Sequence, residues 1–195
     1  GGAGFIGANI VRRLLQKEYD INLVLKRSTN LWRIKDVLSK VKISEVDLLD
    51  KNGLKKTIHK INPSIIFNLS TFSSYWNQED FERIVNANVI GTMNLLLSSK
   101  EVDYGIFVNT GSSSEYGFKN KPMNEKDLLE PISFYAATKA SSTLLCQVFA
   151  REFKKPIVTL RPFSVYGPYE DKNRFIPTIV RSILEKKSIK LTRGN

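Results

Sequence analysis

The sequence predicts an α/β fold built on a doubly wound parallel sheet. Short runs rich in Ile, Val and Leu alternate with helical stretches of about ten residues or more, the pattern of strands buried on both faces and joined by crossover helices. Three glycines, Gly1, Gly4 and Gly7, lead straight into an amphipathic segment. Polar residues then collect at the carboxyl ends of the strands, where open sheets of this kind hold their ligands.

Taken in order, the spacing GxxGxxG is followed by a predicted helix from Ala8 to Leu15, with apolar positions on one face. Glycine lets the backbone turn tightly and approach a pyrophosphate, whose charge suits a helix N-terminus. A glycine turn with no ligand uses the same residues, so this motif alone decides nothing. Ile21–Leu25 reads as a buried strand ending at Lys26, Arg27 and Ser28, with no acid before Asp36. An acid at that strand end would bond a ribose 2′-hydroxyl, whereas a basic residue accommodates a 2′-phosphate. Given a dinucleotide, NADP is therefore favoured, with NAD the alternative.

Leu31–Leu38 is expected as a short helix, Val41–Val46 as a strand ending at Asp47-Leu48, and Lys51–Ile61 as a helix stopped by Asn62-Pro63. A strand at Ser64–Leu69 opens into a polar loop from Ser70 to Asn77. One long helix is expected over Glu79–Ser99. Tyr104–Asn109 is the next strand, released into Thr110–Gly117. A loop with Pro122 and Pro131 leads to a helix that carries Tyr135 and Lys139 and runs to about Phe153. Pro156–Leu160 is a strand broken at Arg161-Pro162, Phe175–Glu185 a helix, and Ile189–Leu191 a short final strand.

Composition narrows the function classes. Hydrophobic residues make up 42% and charged residues 25% of the 195, ordinary values for a globular chain long enough for one well-buried domain. No apolar run reaches the ~20 residues of a membrane span, so no membrane association is expected. Cys146, the single cysteine, excludes an internal disulfide framework, fits a reducing cytoplasm, and falls on an apolar face with Leu144, Leu145 and Phe149. His59 is the sole histidine, which argues against a metal site and against a histidine-based triad. The net charge of +11 is spread along the chain without a basic arm, so phosphorylated small molecules are better expected partners than nucleic acid.

Tyr135 and Lys139 stand four residues apart, which places both side chains on one helix face. A phenol titrates near ~10 when unperturbed, and a neighbouring ammonium favours its phenolate, so the pair could serve as a tuned proton carrier. A half-buried tyrosine beside a solvated lysine has the same spacing. The neighbouring motifs must choose between the two.

Those motifs are GGAGFIG, Asp47-Leu48, NANVIGT at 86–92, GSSSEYG at 111–117, YAATK at 135–139 and RPFSVYGP at 161–168. Together, in this order, they resemble the extended short-chain dehydrogenase/reductase family of NAD(P)-dependent nucleotide-sugar epimerases, dehydratases and 4-ketoreductases. The resemblance implies a Rossmann-type fold and a single NAD(P)-binding domain over residues 1–195, expected to lack its first strand and most of the substrate-binding segment. It implies that Tyr135, Lys139 and Ser112 are catalytic. It places Gly1, Gly4, Phe5, Ile6, Gly7, Arg27, Asp47, Leu48, Leu69, Ser70 and Pro162 on the cofactor, together with Tyr135 and Lys139. Ser112, Ser113 and Ser164 fall on the substrate side, the last where many relatives carry an Asn.

Dehydratases of the family carry an Asp-Glu pair where this chain has Ser113 and Ser114, and Glu115 is displaced by one position. Water elimination therefore lacks its proton carriers. The resemblance then points first to reduction of a nucleotide-linked 4-keto-6-deoxy sugar. A 4-epimerase and a non-catalytic dinucleotide-binding scaffold stay open. The segments 79–99 and 133–153 resemble the helices of a four-helix homodimer interface.

Overall fold

A computed structural model describes residues 1–72 and 80–189. The chain divides into two compact units, Gly1–Phe163 and Ser164–Asn195. In the first, helix α1 (Phe5–Leu15) leads to strand β1 (Asn22–Leu25), a 3₁₀ helix (Trp32–Lys40), β2 (Lys42–Glu45), α2 (Lys51–Ile61) and β3 (Ile65–Asn68). There follow α3 (Phe81–Val85), a π-helical turn (Asn86–Ile90), α4 (Gly91–Ser99), β4 (Ile106–Thr110), a 3₁₀ turn (Ser113–Tyr116), α5 (Phe134–Glu152) and β5 (Ile157–Leu160). The second unit holds α6 (Phe175–Leu184), on which Ile176, Val180 and Ile183 are exposed.

All strand pairs are parallel, as the alternation of strands and helices requires. The parallel strands form two sheets, β1-β2 and β3-β4-β5, in keeping with a doubly wound sheet expected to lack its first strand. A cavity of about 700 Å³ lies between β1 and β3, lined by Leu23, Val24 and Leu25 on one side and Ile65, Ile66 and Phe67 on the other, so no main-chain ladder joins them. The core consists of two clusters, and Val24 of β1 packs against the second. Val11 and Ala8 of α1 pack with Leu23, Leu25, Ile34 and Val37. Leu54 and Ile58 of α2 pack with Leu95, Leu96, Phe107, Cys146 and Phe149. Leu54 and Phe107 are wholly buried, each contributing about 2–3 kcal/mol by leaving water.

Four expectations need correction. Helix α1 begins at Phe5, three residues before Ala8, because Gly4 takes the N-cap position in extended conformation and Gly7 continues the helix. The expected helix at 79–99 contains the π turn Asn86–Ile90, an insertion that hydrophobic periodicity does not reveal. Leu144, expected on the buried face of α5, is 52% exposed, while Cys146 and Phe149 are buried. The expected strand Ile189–Leu191 is not formed at Ile189, and its other two residues lie outside the described ones, as does most of the loop expected over Ser70–Asn77.

Candidate active site

The glycine turn is built by contact between main chains. A Cβ on Gly1 would come 2.1 Å from the Leu69 carbonyl and 2.6 Å from the Ser70 nitrogen, and one on Gly7 would come 2.3 Å from the Gly1 carbonyl oxygen. Neither position has room for a side chain. Gly4 caps α1 with no side chain satisfying the first turn, so the amides of Phe5 and Ile6 form the positive end of the helix. Gly1, Gly4, Gly7, Asp47, Leu48, Leu69 and Ser70 all line the 700 Å³ cavity, together with Lys26. Phe5, Ile6, Arg27 and Pro162 lie outside that lining. An anionic diphosphate fits such a cradle: backbone can approach it closely, a helix N-terminus faces it without a competing cap, and the adjacent strand end carries Lys26 and Arg27, both exposed.

A row of buried polar side chains crosses the carboxyl ends of β3, β4 and β5. Asn68, Asn109 and Thr159 are register partners. The Asn68 amide donates to Asn109 Oδ1 (3.1 Å) and to Thr92 Oγ1 (3.0 Å), and Asn109 donates to Thr159 Oγ1 (3.4 Å). Ser70 Oγ donates to Asn68 Oδ1 at 2.6 Å, so the predicted cofactor residue at the end of β3 is oriented by this row.

The π turn and α5 approach through small residues. Asn88 donates to Thr138 Oγ1 and to the Phe72 carbonyl, each at 3.0 Å, and accepts from the Phe72 amide at 2.8 Å. Ser142 Oγ lies 2.5 Å from the Asn88 carbonyl oxygen. Buried Ala136, Ala140, Ser142 and Thr143 give α5 a face flat enough for this approach. Ser133 starts the helix by accepting the Ala136 amide at 3.1 Å.

Tyr135 and Lys139 therefore sit in the first two turns of a firmly seated helix. Tyr135 is half-buried and Lys139 is 4% exposed. Burial lowers the Lys139 ammonium to about 8, against an opposing pull upward from Glu115. Cys146, two turns further on, is pushed up to about 12 by burial, which makes it an inert structural thiol at neutral pH.

Ser112 stands at the start of the 3₁₀ turn after β4. Its Oγ accepts the Ser114 amide at 3.1 Å, which leaves the hydroxyl proton to be donated elsewhere. Glu115 closes the turn from inside. Its Oε1 accepts the Ser112 amide at 2.7 Å, and its Oε2 accepts from Thr143 Oγ1 at 2.9 Å and Arg161 Nε at 2.8 Å. Arg161 also donates to the Tyr116 hydroxyl at 3.0 Å. Burial pulls the Arg161 guanidinium down, but its bonds to Glu115 and Tyr116 outweigh that and leave it raised. Ser113 donates its amide to the Pro162 carbonyl at 3.1 Å, so Pro162 is a neighbour of the serine turn.

The structure thus ties Ser112, Ser113 and Pro162 to the helix of Tyr135 and Lys139, and gathers seven of the predicted cofactor residues around one cavity. Arg27 is on the surface, and Ser164 belongs to the second unit, where it is exposed. Asn88, Glu115, Thr143 and Arg161 had no role assigned from sequence. For Asn88 the signal was its place in NANVIGT. For Glu115 it was an acid next to Tyr116 in a turn otherwise made of Gly and Ser. Among the described residues no group of three His, Cys, Asp or Glu side chains could hold a metal ion, and no helix is long and apolar enough to cross a membrane.

Comparison with known proteins gives the same picture. The model of the NAD dependent epimerase/dehydratase family matches residues 1–195. Protein CapI of Staphylococcus aureus is 26% identical over 97% of this chain and 60% of its own length. A probable UDP-glucuronate 4-epimerase of Rhizobium meliloti is 29% identical over 87% of this chain and 53% of its own. The crystal structure of UDP-glucuronic acid 4-epimerase from Bacillus cereus in complex with NAD superposes with a TM-score of 0.82 at 28% identity, covering 96% of this chain and 63% of that one. The chain thus spans little more than half the length of the two curated relatives. With its glycine cradle, its parallel sheets and a tyrosine and lysine on one helix, the chain belongs to the NAD-dependent epimerase/dehydratase family.

Proposed function

We propose that the protein of which this chain forms the dinucleotide-binding part transfers a hydride at C4 of a nucleotide-linked sugar without eliminating water. The bound nicotinamide would supply or accept the hydride. Tyr135 gives a proton to the sugar oxygen, or takes one from it, as the carbon is reduced or oxidised. Ser112 donates a hydrogen bond to the same oxygen through the hydroxyl proton that the Ser114 amide leaves free. Lys139, held as an ammonium by Glu115 against the cost of burial, favours the phenolate form of Tyr135. The diphosphate of the cofactor would lie against Gly1, Gly4 and Gly7, with the amides of Phe5 and Ile6 turned toward it. Asp47, Leu48, Leu69 and Ser70 would line its adenosine and ribose side, and Lys26 and Arg27 favour NADP over NAD. Ser113 and Ser164 are the substrate contacts of this reading.

The observation that carries it is the fate of the acids. Elimination needs a second acid and base beside the reacting carbons. Ser113 and Ser114 cannot supply them, and Glu115 is wholly buried with both oxygens bonded. Net reduction of a 4-keto-6-deoxy sugar is the first form of the reaction, supported by the basic end of β1. A 4-epimerase is the second, supported by the 4-epimerase relatives. Incubating the full-length protein with NADPH and a panel of nucleotide 4-keto sugars separates them. Reduction consumes NADPH stoichiometrically, epimerisation interconverts 4-hydroxy sugars with no net consumption, and inactivity on both panels sinks the proposal.

Self-association of two copies through α3, α4 and α5 belongs to the same reading. Phe81 stacks on Phe134 with ring centroids 4.1 Å apart, and Val85, Leu97, Leu144 and Val148 are exposed on these helices. A monomer by light scattering at micromolar concentration would remove that part.

A further inference from the structure

The buried Glu115–Arg161 pair is the most costly feature around the serine turn, and hydride chemistry does not require it. Glu115 is 0% exposed on its side chain and Arg161 12%. Moving two such charges out of water is costly, and their attraction offsets that cost only where the remaining lone pairs are hydrogen-bonded. Here every partner is an element of the candidate site: the Ser112 amide, the Thr143 hydroxyl one turn beyond Lys139, and Arg161 at the end of β5. Gly111 makes the room, because a Cβ there would come 2.4 Å from Glu115 Oε1 and 2.9 Å from the Thr159 methyl. The Gly111 amide in turn donates to the Leu160 carbonyl at 2.7 Å. One carboxylate thus fastens α5 to the serine turn and to the end of β5, which main-chain bonds already hold to each other.

We propose that Glu115 is a positioning residue, whose buried carboxylate holds Ser112 in register with the helix that carries Tyr135 and Lys139. The proposal rests on the catalytic reading of those three residues. Glu115 moves no proton in the reaction. It sets the direction of the Ser112 hydroxyl through the Ser112 amide, and it lends negative charge to the buried Lys139. The other ionisable groups around Lys139 are Cys146 and Tyr135 on its own helix, with Arg161 and Tyr116 beyond Glu115. Cys146 is neutral at neutral pH, so among these Glu115 is the anion that keeps the ammonium charged.

The test is E115Q in the full-length protein, read first without cofactor or sugar. The Ser112 amide proton is followed by NMR, and the titration of Lys139 is followed with ε-carbon-labelled lysine, assigned by loss of its signal in K139M. The expected result is an upfield move of the Ser112 amide and a Lys139 midpoint below the wild-type value near 8. With substrate, turnover then falls roughly a hundredfold with little change in KM, the cost of a misplacement of about 1 Å. Both signals unchanged in folded E115Q would overturn the proposal, whatever the activity. Should wild type turn over no nucleotide sugar, the functional reading falls, and the two signals still decide the role of Glu115. Should E115Q fail to fold because Arg161 is left uncompensated, E115Q/R161M removes that charge and is read in the same way.

Discussion

Around the glycine turn the chain offers backbone and little else, whereas around Ser112 it offers side chains locked by other side chains. Gly1 and Gly7 are defined by what cannot be attached to them, and Lys26 and Arg27 at the adjacent strand end are on the surface. Ser112, Glu115 and Thr143 are buried and hydrogen-bonded into one network, and Lys139 is buried on the helix that carries Thr143. On the proposed function, one region binds through shape and helix polarity, and the other reacts through fixed donors. Substitutions in the first should change affinity, and those in the second should change turnover.

The sharpest way to break this division is Y135F. It should lower turnover by roughly 10²- to 10⁴-fold, the range for loss of a general acid, with cofactor affinity nearly unchanged. A comparable loss of affinity, measured by fluorescence titration, would mean that the two regions are not separate. Next in size is G7V. Its side chain meets the Gly1 carbonyl and Gly2 Cα, and relief of such a clash costs about 1–3 kcal/mol. It should abolish cofactor binding and lower Tm, with the Ser112 turn intact by NMR.

K139M tests the cost of the reactive region. Its burial lowers the Lys139 pKa from 10.5 to about 8. Below about pH 8 both folded and unfolded chains carry the charged lysine, and the burial penalty is fully present. Between 8 and 10.5 the unfolded chain binds more protons, so this lysine's effect is to let stability rise with pH, and above 10.5 its penalty is gone. K139M should therefore stabilise the protein by about 3 kcal/mol at pH 7, with the gain fading toward pH 10.5. Cys146 acts in the opposite sense above pH 9, so the quantity to follow is the difference between K139M and wild type at each pH. A destabilised K139M at pH 7 would contradict the account. The smallest effect belongs to the surface: R27E should weaken NADPH relative to NADH by about tenfold, near 1.4 kcal/mol, and leave turnover alone.

The same contrast explains how much could be read from the sequence. The glycine turn and the strand ends were legible, because glycines at fixed spacing and residues at strand ends are local signals. Even there, the start of α1 was misplaced by three residues, since Gly7 reads as a turn residue and only packing against Gly1 and Gly2 makes it helical. The proposed reactive residues Tyr135, Lys139 and Ser112 stood out as types in a pattern. What holds them was not. Glu115 in a serine-rich turn reads as a solvated acid, and its burial depends on Arg161 and Thr143, 46 and 28 residues away. The π turn that seats α5 through Asn88 likewise leaves no mark on periodicity.

The most direct test is isotopic. The full-length protein is given a nucleotide 4-keto-6-deoxy sugar with reduced nicotinamide cofactor deuterated at C4 of its ring, and the product is read by NMR and mass. The account predicts deuterium at sugar C4, dependent on Tyr135, with every sugar oxygen retained. A product that has lost water, or deuterium transfer that persists unchanged in Y135F, would contradict it.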